Sequence, residues 1–275
     1  MKQTAAETET FELRLLLEAI HEKSRYDFRG YSIASLKRRL THAKERFGCS
    51  SFSELQHRVL HDSALIPRLL PYLTVQVSDL FRDPSYFLAL RTDVLPHLKT
   101  YPSLKVWVAG CSAGEELYSM AILFREEGLE GRTVFYATDI NTEALQKAEA
   151  GVYEVDRLAL FSENHRRAGG KTSLSDYYTA AYGRAKFDQS LRRNTVFSDH
   201  SLVSDAVFAE TQLISCRNVL IYFNRELQDR AVGLFKDSLV RRGFCGIGAK
   251  ESLRFSAHAN SFTDFLREER IYQRV

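Results

Sequence analysis

Residues 104–118, Leu-Lys-Val-Trp-Val-Ala-Gly-Cys-Ser-Ala-Gly-Glu-Glu-Leu-Tyr, constrain the fold of this chain more than any other stretch. The apolar run Val106–Ala109 breaks into a turn bounded by Gly110 and Gly114. Glu115 and Glu116 then open what the pattern predicts as a helix. A second apolar run, Val134–Ala137, ends at Asp139. In an open α/β sheet this order accommodates a nucleoside: a tight turn lets backbone approach the ligand, and an acid ending the next strand takes the ribose hydroxyls. Taken alone, the Gly110–Gly114 turn is equally a strand-to-helix connection that needs positive φ. Asp139 tips the reading toward a nucleoside.

The flanking charges narrow the ligand. Dinucleotide sites more often carry G-x-G-x-x-G, with the pyrophosphate over a helix N-terminus. Here the spacing is G-x-x-x-G and the helix opens on two carboxylates, which suit the helix dipole but repel a pyrophosphate. They suit a ligand with an amino group and a positive sulfur, and S-adenosylmethionine is that ligand. For either glutamate alone, dipole matching is the competing explanation.

Around this motif the chain divides in two. Up to about residue 75 it reads helical: Leu13, Leu16, Leu17 and Ile20 share one face, and Ile33, Leu36, Leu40, Ala43 and Phe47 another. Ser51-Phe-Ser-Glu54 is a capping-box signature. A fourth short helix is expected over 63–73, interrupted near Pro67 and Pro71. Asp83-Pro84 predicts a helix start with a side-chain cap. Beyond it, strands are expected at 105–109, 133–137, 195–198, 211–215, 244–249 and 270–274. Helices are expected at 84–98, 115–127, 141–150 and 224–241. Their alternation predicts an α/β fold with a mainly parallel sheet. The expected organisation is a helical domain over 1–75, a linker and connecting helix over 76–98, and an α/β domain over 99–275 with a small β excursion at about 177–199.

Composition excludes little. The net charge of +3 is too mild to argue for nucleic acid. It is unevenly placed, however: between His21 and Phe47 eight basic residues face three acids. The four cysteines show no metal-ligand spacing, so no metal is expected. With no signal peptide and no apolar run near eighteen residues, a cytoplasmic protein without membrane insertion is expected.

Two further segments carry chemistry. Leu213–Phe223 starts as a strand and places Arg217, Asn218 and Tyr222 at or beyond its carboxyl end, where open α/β sheets bind ligands; a buried strand end with satisfied polar caps is the alternative. Thr74–Asp83 joins the two halves; by composition it is a plain connector, though Gln76, Ser78 and Arg82 could lie over a cofactor.

Together the three segments resemble the chemotaxis receptor methyltransferase family, CheR, over nearly the whole chain. The most specific piece is Cys-Arg-Asn-Val-Leu-Ile-Tyr-Phe (216–223), then Ala-Gly-Cys-Ser-Ala-Gly-Glu-Glu (109–116), with Asp-Leu-Phe-Arg-Asp (79–83) in support. The resemblance implies a Rossmann-like class I methyltransferase domain behind an all-helical N-terminal domain, with a small β subdomain inserted. It implies methyl transfer from S-adenosylmethionine to glutamate side chains of chemoreceptor cytoplasmic domains, yielding S-adenosylhomocysteine. By position, Gln76, Ser78, Arg82, Gly110, Glu116, Asp139, Ser201, Leu202, Arg217 and Asn218 match cofactor-binding residues: Glu116 for the methionine amino group, Asp139 for the ribose, Ser201-Leu202 near the adenine. Arg82 and Tyr222 match residues at the reacting centre. Gln76, Ser78 and Ser201 depart from the usual Asn, Thr and Asn, and Leu117 replaces a usual proline.

In this light the basic helix is expected to steer onto acidic receptor helices through Arg38, Arg39 and Lys44. Some relatives grip a receptor C-terminal pentapeptide with a glycine-rich loop; with Gly183 alone between Tyr177 and Phe197, no such tether is expected here. The competing functions are a signalling adaptor that binds the cofactor without turnover, motivated by the three departures, and a nucleic-acid methyltransferase, disfavoured because the chain has no Pro-Pro pair. An NAD-dependent oxidoreductase fits least.

Overall fold

The computed structural model describes residues 5–275, so the first four residues of the expected 1–75 domain lie outside it. Contacts group the chain into two units, one running to Val75 and including Tyr222–Arg230, the other Gln76–Ile221 with Ala231–Val275.

The smaller unit contains α1 (Ala5–Lys23), α2 (Ile33–Arg46), α3 (Phe52–His61) and α4 (Leu65–Leu73). Its core is the set of apolar stripes expected from periodicity: Leu13, Leu16, Leu17, Ile20, Leu36, Leu40 and Ala43 are all buried. Ser51 caps α3 by accepting from Glu54 N at 3.1 Å, but the returning bond reaches Ser50 N, at 2.7 Å, instead of Ser51. The expected interruption of the fourth helix does not occur. Pro67 sits in the first turn of α4, where no intrahelical donor is needed, and the helix continues through Pro71.

The larger unit opens with α5 (Pro84–Ala89), a π-helical stretch over Leu90–Val94, and α6 (Leu95–Leu98). Then come β1 (Leu104–Ala109), α7 (Glu115–Glu126), β2 (Thr133–Asp139), α8 (Thr142–Ala150), β3 (Val152–Glu154), α9 (Leu158–Arg167), β4 (Tyr178–Ala181), β5 (Arg184–Phe187), β6 (Thr195–Asp199) and β7 (Thr211–Cys216). α10 (Arg225–Ser238), β8 (Leu239–Ile247), β9 (Phe262–Leu266) and β10 (Ile271–Arg274) complete the chain. The main sheet has the order β6-β2-β1-β7-β8-β10-β9. Its pairs from β6 to β8 are parallel, and those of β10 with β8 and β9 are antiparallel. The fold is a Rossmann-like α/β domain. Strand order reverses between β1 and β7, so the ligand crevice of such a sheet opens at their carboxyl ends.

The β excursion has a different outline from the expected 177–199. Its sheet is β3-β5-β4, reaching back to Val152, whereas Thr195–Asp199 pairs with β2 in the main sheet. The β4–β5 hairpin turns at Tyr182 and Gly183, both with positive φ. Arg91 of the π-helical stretch bonds Glu126 at 2.5 Å and Glu127 at 2.7 Å at the end of α7, and His165 Nε2 of α9 lies 2.9 Å from Glu126. The Glu126 side chain is 1% exposed. Burial disfavours its charge, yet His165 and Arg91 hold its carboxyl at about 2. Among the described residues no helix is long and apolar enough to cross a membrane.

Candidate active site

Three loops meet at the switch point. The turn after β1 carries positive φ at Gly110, Ser112 and Gly114. Asp139, at the end of β2, accepts from Ser112 N at 2.9 Å through one oxygen and from Asn141 N at 2.9 Å through the other. Burial pushes its carboxyl up, against these backbone donors and that of Ile140. A carboxylate has about four acceptor directions, so Asp139 keeps capacity for a hydroxyl donor. Asn141 also caps α8, its side chain accepting from Ala144 N. The two glycines serve protein packing: a Cβ on Gly110 would lie 2.6 Å from Val219 Cγ2, and one on Gly114 2.9 Å from the Ala148 backbone. Gly110 therefore brings the loop after β7 against the turn after β1.

The two glutamates of α7 have separate partners. Glu116 accepts from Ser215 Oγ at 2.6 Å and faces Arg217 Nη1 at 3.4 Å. Arg217 is buried, stacked 4.2 Å over the Tyr86 ring, and bonds Asp83 at 2.6 Å. Glu115 bonds Arg157 at 2.9 Å through one oxygen, while its other oxygen is buried with no partner among the described residues. Burial pushes its carboxyl upward. A buried acceptor left open costs stability, and a ligand bearing a cationic amino group is the kind of donor that suits this acidic helix start.

The linker is clamped beside them. Arg157 bonds the Ser78 carbonyl and, at 3.1 Å, Asp79. Gln76 accepts from Ser112 Oγ at 2.7 Å, so its side chain meets the turn. Phe81 is buried, with its N–H donating to Ser119 Oγ at 2.7 Å. Phe81 and Asp83 have φ of 50° and 55°, a left-handed backbone that costs on the order of 1 kcal/mol or more each and persists because these contacts hold it. Asp83 does not make the expected side-chain cap on α5; its carboxylate is turned to Arg217. Between them Arg82 is half-buried, its Nη1 3.3 Å from the Val77 carbonyl, and among the described residues no carboxylate pairs with it.

The remaining expected residues are placed differently. Asn218, at φ 60°, is held through its N–H by Glu251 at 3.1 Å. Glu251 also accepts from Gly248 N at 2.5 Å and Ile221 N at 3.1 Å. It is buried, its carboxyl pushed up by desolvation against these donors. Ser201 accepts from Val203 N and Ser204 N in its own turn, each at 3.2 Å, and Leu202 is buried. Tyr222 belongs to the smaller unit, where its carbonyl accepts from Ser32 N at 2.8 Å and its ring lies 5.7 Å from the Arg39 guanidinium. Gln76, Ser78, Arg82, Gly110, Glu116, Asp139, Ser201, Leu202, Arg217 and Asn218 thus all belong to the larger unit, where Ser112 joins Gln76 to Asp139 and Glu116 meets Arg217, while Tyr222 belongs to the smaller one.

The expected docking face changes. Arg38 is exposed. Arg39 instead donates to the Leu73 carbonyl at 2.7 Å, and burial lowers its pKa. Lys44 lies near Glu9, at 3.7 Å, and over the Phe52 ring.

Sequence reasoning passed over Ser112, Arg157, Ser215 and Glu251. The first lay inside a motif already read for its glycines. The others are single polar residues in strands or loops, joined to the site only by pairings distant in sequence.

Residues 76–268 match the family description CheR methyltransferase, SAM binding domain, and residues 12–74 match CheR methyltransferase, all-alpha domain. Cher3 of Pseudomonas putida KT2440 is 55% identical over 271 residues, covering 98% of this chain and 99% of that protein. The chemotaxis protein methyltransferase of Listeria monocytogenes is 31% identical, covering 81% of this chain and 83% of its own length. The one from Vibrio parahaemolyticus is 32% identical, with 79% and 80% covered.

Proposed function

Because the chain belongs to the CheR methyltransferase family and contains its S-adenosylmethionine-binding domain, we propose that it methylates glutamate side chains on the cytoplasmic helices of chemoreceptors, in chemotaxis adaptation. S-adenosylmethionine supplies a methyl group on a sulfonium; the acceptor oxygen forms the new C–O bond as the C–S bond breaks, leaving the ester and S-adenosylhomocysteine.

The observation that carries this reading is Arg82, a half-buried guanidinium with no carboxylate partner among the described residues, on the linker whose Gln76 accepts from Ser112 in the turn after β1. In the same unit Arg91, Arg157 and Arg217 each hold a carboxylate. A glutamate acceptor, with an ordinary pKa of about 4.3, is ionised at neutral pH and needs no general base. What the protein must do is align it and exclude water. Arg82 grips one carboxylate through its planar fork. Asp139 takes ribose hydroxyls and Glu116 the methionine ammonium. Gln76, Ser78, Gly110, Ser201, Leu202, Arg217 and Asn218 complete the cofactor site. Arg38 contributes long-range steering toward acidic receptor helices, with Lys44 behind it. Docking proceeds through these helices without a pentapeptide tether, in a cytoplasmic setting.

Incubation with methyl-labelled S-adenosylmethionine and a panel of chemoreceptor cytoplasmic fragments tests the proposal. Base-labile label released as methanol, and lost when receptor glutamates become alanine, is the expected result. Firm S-adenosylhomocysteine binding with no transfer to any fragment would favour the adaptor reading.

A further inference from the structure

We infer that Tyr86 and Ser215 are positioning residues that aim Glu116 at the methionine ammonium. This rests on the proposed role of Glu116 at that group. Glu116 lies in the first turn of α7, Ser215 in the middle of the sheet on β7, and Tyr86 on α5, so three elements converge on one carboxylate. Ser215 Oγ lies 2.6 Å from Glu116 Oε1, and Tyr86 OH lies 2.8 Å from Ser215 Oγ. A carboxylate only accepts, so the Ser215 hydroxyl must donate to Glu116. Its own lone pair then accepts from Tyr86, which leaves one direction for every proton in the chain. Burial raises the Tyr86 phenol far above its ordinary value, so it stays a donor at any working pH.

The surroundings are built to seat that phenol. Ser215 and Tyr86 are 0% and 1% exposed, and Ser215 is paired in register with Gly246 of β8. A Cβ on Gly246 would come within 2.1 Å of the Tyr86 hydroxyl, so glycine there leaves the room the hydroxyl occupies. Arg217 closes the other side, its guanidinium over the Tyr86 ring and its Nη1 facing Glu116 Oε2. One carboxylate oxygen is therefore fixed by a hydroxyl relay and the other by a guanidinium. The carboxylate plane cannot rotate without breaking both, and its remaining acceptor directions are set for an incoming ammonium.

The test compares two ligands that differ in the amino-acid arm, which carries the ammonium assigned to Glu116. S-adenosylhomocysteine carries the amino-acid arm; 5′-methylthioadenosine lacks it. Affinity for each is measured by calorimetry on the wild type, Glu116→Gln, Tyr86→Phe and Ser215→Ala. Tyr86→Phe keeps the ring under Arg217 and removes one oxygen. Both relay variants are expected to lose about five- to tenfold in S-adenosylhomocysteine affinity, the range of one neutral hydrogen bond, with 5′-methylthioadenosine unchanged. Equal weakening of both ligands would show a merely structural role and overturn the inference, as would no weakening of either. Glu116→Gln separates the premise from the relay. If that variant does not discriminate between the ligands, the placement of Glu116 is wrong and the relay falls with it. If it discriminates while Tyr86→Phe and Ser215→Ala do not, the relay alone is refuted.

Discussion

Replacing Glu126 by glutamine should cost this protein about 2 to 3 kcal/mol at neutral pH, and the loss should disappear in acid. Glu126 is buried beside Arg91 and His165, with Tyr177 OH at 3.2 Å from the same oxygen as His165. Its carboxyl is held at about 2 against an ordinary 4.5. At 1.36 kcal/mol per unit that difference is ~3.4 kcal/mol, and solvent screening at the edge of the cluster reduces it to about 2 to 3. The figure lies at or just below the about 3 to 5 kcal/mol for removing one partner of a buried ion pair, as expected when Arg91 retains Glu127. A folded pKa below the unfolded one adds stability above the unfolded value, and that stability is lost as pH falls toward the folded value. The contribution is thus complete above about pH 5 and gone near pH 2. Urea unfolding of wild type and Glu126→Gln at pH 7, 4 and 3 measures it. The two curves should converge as pH falls. A gap that stays constant between pH 7 and 3 would show that the cost is one of shape, and the electrostatic account would be wrong.

Other consequences follow from the same geometry. Arg82→Ala should lower receptor methylation kcat/KM by about tenfold to a hundredfold, with Arg82→Lys restoring only part because it lacks the planar fork; full activity in Arg82→Ala would remove its proposed role. Glu251→Gln should cost about 2 kcal/mol and lower Tm by about 4 to 8 °C, since an amide group would face backbone N–H donors of Asn218 and Gly248. An unchanged melting curve would contradict that. Asp139→Asn should weaken S-adenosylhomocysteine binding about tenfold by disturbing the Ser112 N–H bond and the ribose contact together, read by calorimetry. Arg38→Glu should slow receptor methylation and flatten its decline with added salt, while leaving S-adenosylhomocysteine affinity intact.

Local pattern was enough to read the helical stripes of the smaller unit, the β1–turn–α7 passage and Asp139 at the end of β2. Each is governed by period, turn chemistry or a helix end, which act over a few residues. The same local reading failed where long-range contacts compete. Asp83 looks like an N-cap until Arg217 takes its carboxylate. Pro67 and Pro71 look like breaks until burial of Leu65, Ile66, Leu69, Leu70 and Leu73 holds the helix together. Arg39 and Lys44 look like part of a docking face until the Leu73 carbonyl and Glu9 draw them in.

The site divides in the same way. The chemistry proposed for it rests on residue types that the sequence displays: acids for a ribose and an ammonium, an arginine for a carboxylate, no motif for phosphate. Their arrangement is not displayed there. Whether Glu116 answers to Ser215, Glu115 to Arg157 and Asn218 to Glu251 depends on which strands lie side by side. Strand pairing is settled by burying the apolar faces of the whole sheet at once, so no short window of residues contains it.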